Sequence, residues 1–176
     1  MIVVSDASPL NVLVRIGLAD LLPVLFGRLF VPPAVAFELS HERTPDQVRE
    51  WFRSAPAWLE VRAPTTIDLS LDLDDPGELE AISLALELRA ELLLVDDRKA
   101  RRIARERGLT MTGALGVLEI ADAKSLINLP EALERLRGTD FFIADELWRA
   151  ALERHQRRKA ERQTPGKALP PPRGTL

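Results

Sequence analysis

The chain has 176 residues, 46% hydrophobic and 29% charged, with a formal net charge of −3 and no cysteine. The length suits one domain with a working core, and the missing thiols exclude disulfides, thiolate zinc sites and cysteine nucleophiles. No apolar run approaches the roughly 18 residues of a membrane span, and the N-terminus enters a strand with no basic leader, so a cytoplasmic protein away from membranes is expected.

The opening run Ile2 to Val4 is apolar and β-branched and stops at Asp6. Ser8 and Pro9 then suit the start of a helix that carries Leu10, Leu13 and Val14 and ends at Gly17. Leu18 to Phe26 reads as a second short helix, and Arg28 to Val31 as the next strand. Pro32-Pro33 opens a helix from Ala34 to His41 with Glu38 about one turn in. Thr44-Pro45-Asp46 opens another, through Trp51 and Phe52. Trp58 to Arg62 alternates as a strand does, and Ile67 to Leu73 reads as extended and peripheral.

Asp74-Asp75-Pro76-Gly77-Glu78 starts the clearest helical pattern, with Leu79, Ile82 and Leu86 spaced by three and four. Glu78 falls in its first turn, where exposed amides and the helix dipole favour a carboxylate. Leu92 to Val95 repeats the design of the N-terminus: an apolar strand running into Asp96-Asp97 and a helix from Arg98 to Arg107. Leu109 to Met111 gives a short strand, Thr112-Gly113 a turn, and Leu115 to Ala123 an apolar helix. Pro130 to Leu136 and Ile143 to Leu152 complete the helices.

From Glu153 onward seven Lys or Arg oppose two Glu, which makes the tail +5 and the body −8. The expected division is therefore a folded domain over 1–152 and a basic, Pro-rich, disordered tail over 153–176. Strands alternating with helices predict an α/β fold in three layers, with a mainly parallel sheet of four to five strands covered on both faces. Wholly apolar strands fit such a sheet, because alternation is lost when helices cover each side.

In a parallel sheet the carboxyl ends of the strands share one edge, so Asp6 and Asp96 can meet in the crevice where ligands bind. Asp6, Glu38, Glu78 and the pair Asp96-Asp97 are the candidate site. Carboxylates crowded together repel one another unless a cation is present, and oxygen donors suit a hard ion such as Mg²⁺ or Mn²⁺. That ion supports phosphodiester hydrolysis. Singly, Glu38 and Glu78 read as well as surface helix glutamates as they do as site residues, and only their fit to one spatial cluster raises them; of Asp96 and Asp97 one is a ligand and the other a helix cap. The basic run Arg98, Lys99, Arg101 and Arg102 begins beside the site and can grip the phosphates of a single strand. His41 and His155 have no nucleophile around them and receive no catalytic role.

The segments Asp6-Ala7-Ser8-Pro9-Leu10, Val31-Pro32-Pro33-Ala34-Val35 leading to Glu38, Gly77-Glu78-Leu79-Glu80-Ala81-Ile82, Leu94-Val95-Asp96-Asp97 and Thr112-Gly113-Ala114-Leu115-Gly116-Val117-Leu118 together resemble a PIN domain. The resemblance covers roughly residues 1–150 and extends to a prokaryotic subfamily described as predicted nucleic-acid-binding proteins, similar to VapC-type toxins. It implies a Mg²⁺- or Mn²⁺-dependent ribonuclease with Asp6, Glu38, Glu78 and Asp96 as its acidic quartet and Asp97 able to share the last place. It further implies RNA as substrate, a small antitoxin as partner and a homodimer. Two competing readings are a non-catalytic RNA-binding or scaffold module and a receiver-like phosphoacceptor. The second fits poorly, since receivers carry their acidic pair after the first strand.

Overall fold

A computed structural model describes residues 1–54 and 56–163 of the chain. Five parallel strands form one sheet in the order β3-β2-β1-β4-β5: β1 is Val3–Ser5, β2 Leu29–Val31, β3 Leu59–Val61, β4 Leu92–Leu94 and β5 Met111–Thr112. The helices are α1 (Ala7–Arg15), α2 (Leu21–Phe26), α3 (Pro33–Ser40), α4 (Asp46–Arg53), α5 (Pro76–Glu87), α6 (Arg98–Glu106), α7 (Ala114–Ala123), α8 (Leu129–Arg137) and α9 (Asp145–Gln163). The sheet is thus wholly parallel and flanked by helices, as alternating apolar strands and helices require.

The chain winds outward from β1 through β2 to β3, then returns to the other side of β1 for β4 and β5. β1 and β4 pair in register, Val3 with Leu92, Val4 with Leu93 and Ser5 with Leu94. The winding direction therefore reverses between β1 and β4, the position where crevices open in doubly wound sheets. One face of the sheet packs Val4, Leu93 and Val95 against Ile82 and Ala85 of α5 and Ile103 and Ala104 of α6. Val3, Leu29, Val31 and Leu94 are also wholly buried, and alternate strand side chains point to opposite faces. Full burial of a side chain such as Leu93 is worth about 1.5–3 kcal/mol, so the strand ends are held by a packed frame.

Several boundaries differ from those read in sequence, each for a local reason. α1 starts at Ala7 with Asp6 as its N-cap, two residues before the expected cap Ser8, and Asp6 N still donates to Leu94 O at 2.9 Å in the strand ladder. α2 starts at Leu21, after turns in which Leu21 N and Leu22 N bond Leu18 O and Ala19 O. Gly108, at φ +77°, ends α6 with Leu109 N bonded back to Ala104 O, which moves β5 on to Met111–Thr112. The stretch 67–73 forms no strand; Leu71 and Leu73 instead pack into the core cluster beneath α5.

The chain divides into a compact unit, Met1–Phe142, and a second from Ile143 onward. In the latter, α9 continues to Gln163, beyond the expected end at Leu152, and carries Arg154, Arg157, Arg158, Lys159 and Arg162. An unbroken run without Gly or Pro from Asp145 to Gln163 explains the extra turns. Of the tail expected to be disordered over 153–176, residues 153–163 belong to α9, and 164–176 lie outside the described residues. No helix among the described residues is long and apolar enough to cross a membrane.

Candidate metal centre

Asp6 stands at the carboxyl end of the central strand, where the ladder bond from its amide to Leu94 O fixes its backbone. It is 5% exposed, and its Oδ1 is buried with no hydrogen-bond partner. A buried, unpartnered carboxylate oxygen is costly, since desolvation goes uncompensated. Burial raises its pKa from 3.8 to about 7; the Ala7 amide opposes the rise, Glu38 and Asp75 add to it, and the Ser8 amide also opposes it.

Glu38 comes from the second turn of α3, which Pro33 starts beside the end of β2. Glu38 and Asp75 are exposed to solvent, and partial desolvation followed by the charge of Asp75 pushes the Glu38 carboxyl up. Asp75 is the N-cap of α5 and accepts a 2.9 Å hydrogen bond from Glu78 N. Asp6, Glu38 and Asp75 each offer an oxygen, and these oxygens lie within 4.8 Å of one another.

Gly77 faces the middle of this group. A Cβ at residue 77 would lie 3.1 Å from Asp75 Oδ1 and 3.3 Å from both Asp6 Oδ1 and Glu38 Oε2. The missing side chain keeps clear a space that three carboxylates surround. Oxygen-only donors, concentrated negative charge and an unpartnered buried acceptor fit a hard divalent cation such as Mg²⁺ or Mn²⁺. The acidic cluster is therefore compatible with a metal site.

The other expected acids take different places. Glu78, in the first turn of α5, is raised from 4.5 to about 8 by burial and by the charges of Asp97, Asp6, Asp75 and Glu38, so it borders the same group. Asp96 Oδ1 accepts a 2.9 Å bond from Ala114 N at the start of α7, and its Oδ2 lies 3.5 Å from Ser8 Oγ. Burial raises the Asp96 pKa, while the Ala114 amide, the Arg101 charge and the Ser8 hydroxyl oppose that rise. Gly113 admits this arrangement, because a Cβ there would fall 2.2 Å from Asp96 Oδ1. Asp97 is the N-cap of α6 and accepts from Ala100 N at 2.9 Å. Of the adjacent pair, Asp97 is the cap.

The basic residues of α6 also divide. Arg101 turns inward and donates to Val95 O at 3.0 Å. Lys99 pairs with Asp72 and Arg102 with Glu106, each at 3.3 Å. Arg98 is exposed and makes no hydrogen bond or ion pair among the described residues. Beside the acidic group lies a pocket of about 640 Å³ that shares Glu38, Asp75 and Gly77 with it.

Asp75 is the residue that reading the sequence missed. Its place before Pro76 at the start of α5 marks a helix cap, which is a sufficient local explanation. The available signal was its neighbourhood: Gly77 and Glu78, already part of the resemblance, sit two and three residues away. A family model described as DUF3368, PIN domain, matches residues 2–157. No curated protein matches the chain.

Proposed function

We propose, from the premise that the chain belongs to the PIN-domain family, a nuclease superfamily, that it is a Mg²⁺- or Mn²⁺-dependent endoribonuclease. The observation that carries this reading is the buried Oδ1 of Asp6, unpartnered and facing Glu38 and Asp75 across the bare Cα of Gly77. Asp6, Glu38 and Asp75 would hold the ion. When bound, such an ion acidifies a water and stabilises negative charge on a phosphoryl oxygen.

The remaining groups have roles that follow from their surroundings. Glu78, in the first turn of α5 beside the same acids, would orient the attacking water next to the ion. Asp96 acts through position, tying the end of β4 to α7 and so holding the crevice beside Asp6. Arg98, exposed at the start of α6, is the cation of that helix best placed to meet an RNA phosphate. Arg101, Lys99 and Arg102 already have partners.

The test is cleavage of RNA by the purified chain in Mg²⁺, in Mn²⁺ and in EDTA, beside Asp6→Asn and Asp75→Asn. Ion-dependent cleavage lost in both variants supports the reading; ion-independent cleavage, or full activity in Asp6→Asn, sinks it. The toxin role, with a small antitoxin as partner, belongs to the same proposal. It is read by growth arrest on expression of the parent chain and not of Asp6→Asn.

A further inference from the structure

The pocket beside the acidic group has a second half that the chemistry at the phosphate does not use. Its walls there carry Phe37, His41, Arg43 and Arg15. Phe37 is 71% exposed, although it is one of only six phenylalanines in the chain. Its ring centroid lies 5.7 Å from that of His41, with the planes tilted by 59°. Four residues apart along α3 and its C-cap, the two rings share one side of the helix. Phe37 also directly precedes Glu38, so ring and ligand carboxylate come from adjacent positions.

The loop after α3 holds this geometry. Thr44 Oγ1 donates to Glu38 O at 2.6 Å, and Arg43 N donates to His41 Nδ1 at 3.1 Å. With Nδ1 accepting, Nε2 carries the ring proton and remains a donor. Arg15 is paired with Asp140 at the rim. The Arg43 guanidinium has no partner among the described residues.

An exposed ring, a fixed imidazole donor and an uncommitted cation suit an unpaired nucleobase and its phosphate. Bases stack on aromatic faces and are read along their edges, with Arg or Lys on the backbone. A pocket of about 640 Å³ falls within the usual size of small-molecule sites, which suits one nucleotide. The pocket shares Glu38, Asp75 and Gly77 with the acidic group and also carries Phe37, so a nucleotide lying in it reaches both.

We propose that Phe37 and His41 form a nucleobase subsite, with Arg43 receiving the next phosphate, and that these residues determine which RNA sequences the chain accepts. The inference rests on the nuclease reading above.

The probe is a single-stranded oligoribonucleotide carrying a fluorescent purine analogue, titrated with the full chain in Ca²⁺, a hard ion that the carboxylates accept. Phe37→Ala removes a mainly exposed ring and leaves the core intact, as circular dichroism checks. It is expected to weaken binding by about 5- to 100-fold and to abolish quenching of the analogue, while Phe37→Trp retains both. Arg43→Ala is expected to weaken binding and reduce its salt dependence. Unchanged binding and quenching in Phe37→Ala would overturn the subsite and make the exposed ring a protein-docking feature. Failure of the parent chain to bind the probe would overturn it as well. Cleavage is measured separately in Mn²⁺: binding that depends on Phe37 without cleavage removes the nuclease reading alone, whereas cleavage with Phe37-independent binding removes the subsite alone.

Discussion

Asp96 accepts a 2.9 Å hydrogen bond from the amide of Ala114, which joins the end of β4 to the first turn of α7. The bond is internal, and the amide has no other route to satisfaction in a helix start capped by Gly113. Asp96→Ala should therefore cost about 1–3 kcal/mol, read by urea denaturation, because it leaves a buried donor unpaired. Asp96→Asn keeps an acceptor oxygen and should cost less. Equal stability of parent and Asp96→Ala would show that the bond does not hold α7.

The two glycines near the acids should respond differently to alanine. At Gly113 the added Cβ would fall 2.2 Å from Asp96 Oδ1, so Gly113→Ala must displace that carboxylate and should destabilise by about 1–3 kcal/mol. At Gly77 the nearest contacts are 3.1 and 3.3 Å, all to carboxylate oxygens, and helix propensity favours alanine by roughly 0.5–1 kcal/mol. Gly77→Ala should fold normally and lose the rise in Tm that Mn²⁺ gives the parent. A normal Mn²⁺ response in Gly77→Ala would place the ion elsewhere.

The strand-end acids were legible because an apolar run that stops at a carboxylate marks where a buried strand leaves the core: Ile2 to Val4 before Asp6, and Leu92 to Val95 before Asp96. Which carboxylates converge was not legible. Asp75 and Asp97 both look like helix caps, and both are, yet Asp75 also meets Asp6 and Glu38. That difference depends on how α5 packs against the sheet, which no local pattern encodes. Likewise, the basic periodicity of α6 cannot tell that Arg101 turns inward to Val95 O while Arg98 stays exposed.

Asp75 thus supplies the sharpest check of the centre. If it holds the ion, Asp75→Asn should reduce Mn²⁺-dependent cleavage by more than roughly 100-fold, beyond the 10- to 100-fold typical of groups that only support ligands. A mere cap would behave otherwise: asparagine caps helices about as well as aspartate, so activity would hardly change. Rates measured at saturating Mn²⁺ separate the two roles.

The response to pH follows from the burial of Asp6. Its pKa rises from 3.8 to about 7 in the folded chain, and that of Glu78 from 4.5 to about 8. The folded state then binds more protons than the unfolded state between pH 4 and 8, so without a divalent ion these groups make stability fall as pH rises through that window. Their favourable contribution is complete below about pH 4 and gone above about pH 8. A divalent ion competes with the same protons, so its stabilisation should be small at pH 5 and largest near pH 8. Calorimetry with EDTA and with Mn²⁺ at both values reads this as a gap in Tm that opens with pH, at about 2–4 °C for each kcal/mol in a chain of this size. In Asp6→Asn the gap should close, and the ion-free protein should be more stable than the parent at pH 8, because an uncompensated buried charge is gone. An ion-free parent whose Tm climbs from pH 5 to 8 would mean that Asp6 is stabilised as the anion, and no cation would then be needed to explain the cluster.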